Sequence, residues 1–175
     1  MEKSVKSTAI TQGLILGVIL SLITVIGYVA YQDIFTQWWL LLVLLGITIT
    51  IGIISAIKSR KLLGGYISYK SAFTSYFLTI VIGTLISMVV GILIFTVIDT
   101  GAAESIKERS IEVTVQMMER FGAPQETIDE TITKMEEQNT FGVATQLKNW
   151  AGGMVFYIIV GLLACLAIRK NEPLY

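Results

Sequence analysis

Residues 72–98 read AFTSYFLTIVIGTLISMVVGILIFTVI, without one Asp, Glu, Lys, Arg or His. An α-helix rises about 1.5 Å per residue, and a bilayer's hydrocarbon core is about 30 Å thick, so about 20 apolar residues cross it. This stretch is long enough and apolar enough to cross. Its small residues Ser75, Thr79, Gly83, Ser87 and Gly91 keep an unbroken period of four, which lines them along one helix face. Three more segments share the first property: Ala9–Tyr31, Trp38–Ile57 and Ala151–Ile168. The last is short for a crossing, and the helical pattern before it, from Thr140 through Phe141, Val143, Ala144 and Leu147, extends it.

The rest of the composition agrees with lipid as solvent. The 175 residues are 54% hydrophobic and 15% charged, with a mean hydropathy of +0.72; soluble domains average about 25% charged. That length allows one membrane domain over residues 1–175 with a small insert, and no second domain. A cleaved signal has an apolar run of about 7–15 residues ending in small side chains. The first span is longer and ends in Tyr28 and Tyr31, so it is expected to stay as an anchor.

Thirteen bases balance thirteen acids, but their placement alternates. Lys3 and Lys6 precede the first span, Lys58, Arg60, Lys61 and Lys70 lie between the second and third, and Arg169 and Lys170 follow the fourth. The Gln32–Gln37 turn carries only Asp33, and residues 99–149 carry ten acids against five bases, a net of −5. Lys and Arg stay on the cytoplasmic side. Both termini and the 58–71 loop are therefore expected inside, and the 99–149 insert outside. The insert's sign gives no basis for binding nucleic acid. Trp38, Trp39, Trp150, Tyr28 and Tyr31 at one end, and Tyr66 and Tyr69 at the other, fit the aromatic belts of the two interfaces.

The insert has a helical period. In residues 102–121, Ile106, Val113, Met117 and Phe121 form one apolar stripe. Gly122 suits a helix C-terminus and Pro124 the start of the next helix. That second helix, about Pro124–Gln138, places Ile128, Ile132 and Met135 on one face. The two stripes face each other, the membrane surface or a partner. The predicted fold is thus all-α: a bundle of four transmembrane helices with an extracytoplasmic amphipathic hairpin between the third and fourth spans.

Little chemistry is on offer. The chain has no His, which removes the commonest general base and metal ligand and any Ser–His or Cys–His nucleophile pair. The one cysteine, Cys165, lies inside the last span and has no disulfide mate. No phosphate-binding glycine loop is present beyond the bare pair Gly64-Gly65. Glu126, Asp129 and Glu130 lack the ligand spacing of a calcium loop and suit a solvated helix face. No cofactor or metal is expected. Ionisable groups at membrane depth, the usual mark of a coupled carrier, are missing from all four spans. Small-residue ridges drive helix association in lipid. The candidate packing seam is therefore Gly13 and Gly17 of the first span with Ser75, Thr79, Gly83, Ser87 and Gly91 of the third. The expected role is a non-enzymatic accessory or scaffold subunit, whose partners are the lipid bilayer and a second copy or another membrane protein. The alternative is a small oligomeric transporter or channel lined by the hydroxyls of the third span.

Three segments carry a family resemblance: Gly64-Gly-Tyr-Ile-Ser-Tyr-Lys-Ser-Ala-Phe73, Phe121-Gly-Ala-Pro-Gln-Glu-Thr-Ile128, and the run Arg169-Lys-Asn-Glu-Pro173 after the last span. With them the chain resembles the domain-of-unknown-function 4199 family of Bacteroidota. The resemblance implies a bacterial inner-membrane protein with four spans and a periplasmic helical insert. It implies no activity and no functional residues.

Overall fold

A computed structural model describes residues 2–170. Glu172 and the Asn171–Pro173 part of the last segment lie outside the described residues. Among the described residues six α-helices follow in order: α1 (Glu2–Ala30), α2 (Trp38–Leu62), α3 (Tyr69–Ile92), α4 (Thr100–Arg120), α5 (Gln125–Glu137) and α6 (Val143–Ile168). A 3₁₀ turn, Gln32–Thr36, joins α1 to α2, and a π-helical stretch, Leu93–Ile98, prolongs α3. Among the described residues four helices are long and apolar enough to cross a membrane: α1, α2, α3 with its π stretch, and α6. α1 and α3 run in one direction and α2 and α6 in the other. One end of the bundle carries the basic α2–α3 loop, and the other carries α4 and α5.

The helices overrun the apolar segments where charged side chains extend them. α1 begins at Glu2, α2 continues through Lys58, Arg60 and Lys61, and α6 starts at Val143. Hydropathy marks the lipid-soluble length, whereas the helix ends where its caps lie. Gly64 (φ 77°) and Gly65 (φ 94°) end α2. Gly65 N–H donates to the Arg60 carbonyl (3.0 Å) and Gly64 N–H to that of Lys61 (3.2 Å), a Schellman cap. The glycine pair is thus a helix stop. Ser68 Oγ accepts from Ser71 N–H at the start of α3 (3.2 Å). Gly122 (φ 71°) ends α4 with the same cap, Ala123 N–H reaching the Met118 carbonyl at 3.0 Å. Pro124 sits one position before α5.

α3 is the central helix, packed on α1, α2 and α6. Beyond the helices, the basic end is tied together by a short antiparallel bridge. Ile67 and Lys170 exchange both backbone hydrogen bonds (2.9 and 3.1 Å). Arg60 donates to the Ile168 carbonyl (3.1 Å), satisfying an orphan acceptor at the end of α6.

Candidate functional site

The packing seam has three parts. Gly13 and Gly17 of α1 lie against Ile82 and Ile86 of α3, and Gly83 of α3 lies against Leu16 of α1. A Cβ at any of the three would come within 2.9 Å of the facing side chain. These glycines let the two backbones approach, the usual basis of helix association in lipid. Lower on the same face, Ser75 and Thr79 of α3 meet Ser55 and Ser59 of α2. All four are fully buried. Ser75 Oγ pairs with Ser55 Oγ (2.9 Å) and Ser59 Oγ (2.7 Å). Thr79 Oγ1 lies 2.8 Å from Ser55 Oγ and 3.2 Å from the Ala9 carbonyl of α1. One hydroxyl cluster therefore joins α1, α2 and α3. Ser55 and Ser59 escaped the sequence reading, although their four-residue spacing on α2 mirrors Ser75 and Thr79.

Tyr76 takes the other side of α3. Its ring is fully buried in a slot between Gly52 of α2 and Gly161 of α6. Cβ atoms built at those glycines would lie 2.8 Å and 2.3 Å from the ring. Among the described residues its hydroxyl has no hydrogen-bond partner. The slot joins three helices through a single side chain, and it needed the fold to be seen.

Ser87 and Gly91, the upper members of the period-four ridge, belong to a different place. They line a half-open cavity of about 380 Å³ bounded by all four long helices toward the α4–α5 end. Its wall is largely apolar, with Leu20, Leu41, Leu44, Leu45 and Met88, and a few polar groups. Those groups are mostly engaged. Thr84 and Thr48 donate to the carbonyls four residues earlier on their own helices (2.6 and 2.8 Å), and Trp150 donates its indole N–H to Thr84 Oγ1 (2.9 Å). Back-bonding of this kind lets hydroxyls sit in lipid. Phe35, Phe95 and Phe141 rim its upper end. Beyond Phe95 and Phe141 lies a second cavity of about 410 Å³, between the first turns of α4 and the α5–α6 connector.

The base of the arm is fixed by charge. Asp99 Oδ1 accepts from Ala102 N–H (2.8 Å), capping α4, and Oδ2 accepts from the Tyr28 hydroxyl of α1 (2.8 Å). The Ala102 amide, then the Tyr28 hydroxyl, hold the Asp99 carboxyl below the usual carboxylate range. The two stripes of the arm divide. Ile106 is buried with Ile94, Phe95 and Ala102 against the bundle. Ile128 is buried as well, and Val113, Ile132 and Met135 are half-buried. Met117 (49% exposed) and Phe121 (85% exposed) stand open at the tip. Glu126, Asp129 and Glu130 lie on the exposed side of α5. No group of three or more acids or cysteines among the described residues is placed to hold a metal ion.

A family model, described as a protein of unknown function (DUF4199), matches residues 11–170. The chain belongs to this family. The match covers both arm helices and all of the bundle beyond the first residues of α1, so the cavities and the tyrosine slot lie within the matched residues. No curated protein and no solved structure matches the chain.

Proposed function

We propose that this DUF4199 protein is a non-enzymatic accessory or scaffold subunit of a bacterial inner membrane, anchored by its bundle and engaging a partner through the tip of the α4–α5 arm. The carrying observation is Phe121. A phenylalanine 85% exposed at the end of an arm, beside a half-exposed methionine, is an apolar anchor in search of a socket. The bases at the opposite end of the bundle favour an arm on the periplasmic side. The arm's net charge of −5 argues against a second copy at the tip, since two such arms repel. It favours a different protein with an apolar socket ringed by Lys or Arg.

Photo-crosslinking from position 121 in native membranes tests this. A discrete heteromeric adduct that disappears with Met117→Ser, and is absent when the crosslinker sits at Glu126, is expected. Recovery of only the bare protein, from crosslinking and from repeated mild-detergent pull-down, overturns it. The transporter alternative has less support. Ser75, Thr79 and Gly83, which would line its path, are closed in packed contacts.

A further inference from the structure

The two cavities share a wall, and that wall is two rings. Phe95 and Phe141 line both, with centroids 4.6 Å apart and planes tilted by 38°. Neither ring sits on ordinary helix. Phe95 belongs to the π stretch, closed by Asp99 N–H donating to the Ile94 carbonyl at 2.8 Å, and Phe141 belongs to the non-helical connector before α6. π turns inside α-helices are frequent at functional sites.

The compartments differ in chemistry. Along α3 the lower one runs from Thr84 to Phe95, about 16 Å at the helical rise. That is close to half of a bilayer core of about 30 Å, one leaflet's depth. No Asp, Glu, Lys or Arg lines it. The upper one is lined by charges of both signs, Glu104 and Glu137 with Lys107, and by amides and hydroxyls of Gln138, Asn139 and Thr100. Lys107 Nζ already donates to the Glu136 carbonyl, which holds it in the wall. A molecule filling both spaces needs an apolar chain one leaflet long and a polar head carrying both charges.

We propose that the paired cavities bind one aminophospholipid, one of its two acyl chains in the lower cavity, its phosphate toward Lys107 and its ammonium toward Glu104 and Glu137. An anionic lipid or a fatty acid brings only negative charge to a wall with two carboxylates and one ammonium. This site is independent of what the arm tip contacts.

The test uses full-length protein in detergent with Trp38→Phe and Trp39→Phe. Trp150, which lines the lower cavity, is then the sole indole. Phosphatidylethanolamine brominated in its acyl chains is titrated in and Trp150 quenching is followed. Saturable quenching is expected, with brominated phosphatidylglycerol and brominated fatty acid each about tenfold weaker. Gly91→Leu fills the lower cavity and should weaken quenching about tenfold. A Cβ at Gly91 meets no atom within 4 Å, so the added side chain has room. Gly46→Leu, equally unobstructed but outside the cavity, should change nothing. Glu104→Gln with Glu137→Gln should erase the headgroup preference and leave chain quenching in place, a readout on exposed positions that does not depend on refilling the core. Equal quenching by all three lipids, undiminished quenching in Gly91→Leu, or equal losses in Gly91→Leu and Gly46→Leu would each overturn the proposal.

Discussion

Gly161→Ala is the sharpest probe of how this bundle holds together. The new Cβ would lie 2.3 Å from Tyr76 Cε1 and 2.6 Å from Cδ1, where ordinary contact is 3.4–4 Å. The ring would have to retreat by about 1 Å, but a Cβ built at Gly52 on the opposite wall is already 2.8 Å from Cδ2 and Cε2. The ring lies flush against both helices and has nowhere to go. Overpacking of a filled core costs about 1–3 kcal/mol, and a clamped ring belongs at the upper end. Alanine gains about 1 kcal/mol of helix propensity over glycine in return. The net expectation is a loss of about 2 kcal/mol, roughly 30-fold in the unfolding equilibrium. Titration of the micelle-embedded protein with a denaturing detergent, followed by tryptophan fluorescence, measures it. Gly52→Ala should cost a similar amount, and the pair less than the sum, because both press on one ring. Gly46→Ala, with open space around it, should keep the propensity gain of about 1 kcal/mol. Tyr76→Phe should be neutral or stabilising, since it removes a buried hydroxyl that lacks a partner. Wild-type stability in Gly161→Ala would refute the slot, and a large loss in Tyr76→Phe would refute the unpartnered hydroxyl.

Ser75→Ala removes the hydroxyl that both Ser55 and Ser59 share, and in the same denaturing titration it should cost about 1–2 kcal/mol; no loss would mean that the cluster contributes nothing. Asp99, with its folded-state pKa depressed, stabilises the folded protein in full above the usual carboxylate range, and that contribution fades as pH falls from about 4 through the lower folded value. Thermal unfolding of Asp99→Asn should therefore be flatter than wild type across this acid window; parallel profiles would remove Asp99 as the cause. Cysteines placed at Lys61 and at Glu126 should react with a membrane-impermeant maleimide from opposite faces, cytoplasmic and periplasmic, against a native Cys165 that is fully buried; labelling from one face would overturn the orientation.

The bundle was legible because lipid demands it. Long uncharged runs mark crossing helices, and a helix stop such as Gly122 at the end of α4 is local and could be read in place. Asp99, the first residue after the uncharged run of the third span, caps α4. The pairing of Tyr28 with Asp99 was not legible, since the residues are 71 apart in sequence and only the fold brings them together. The small-residue ridge of α3 was legible as a ridge but not in its division. Its lower members close against α1 and α2, while Ser87 and Gly91 face a cavity. Spacing gives the face, and the depth along that face comes only from the neighbours. The stripe of the arm divides for the same reason. Ile106 falls against the bundle mouth, whereas Phe121, four turns on, has left it behind.

The π stretch sets the aim of the arm by counting. An α-helix advances about 100° per residue, and the wider turn at Leu93–Ile98 takes up one residue more than an α-turn would. Were the same six residues wound as ordinary α-helix, everything beyond them would swing by about a quarter of a turn. Asp99 would then point away from Tyr28, and α4 would leave the bundle along another bearing. The direction of the arm is thus written in the winding together with the length of the chain: one residue fewer here, wound as plain α-helix, would keep the same bearing, and the same length without the wide turn would not.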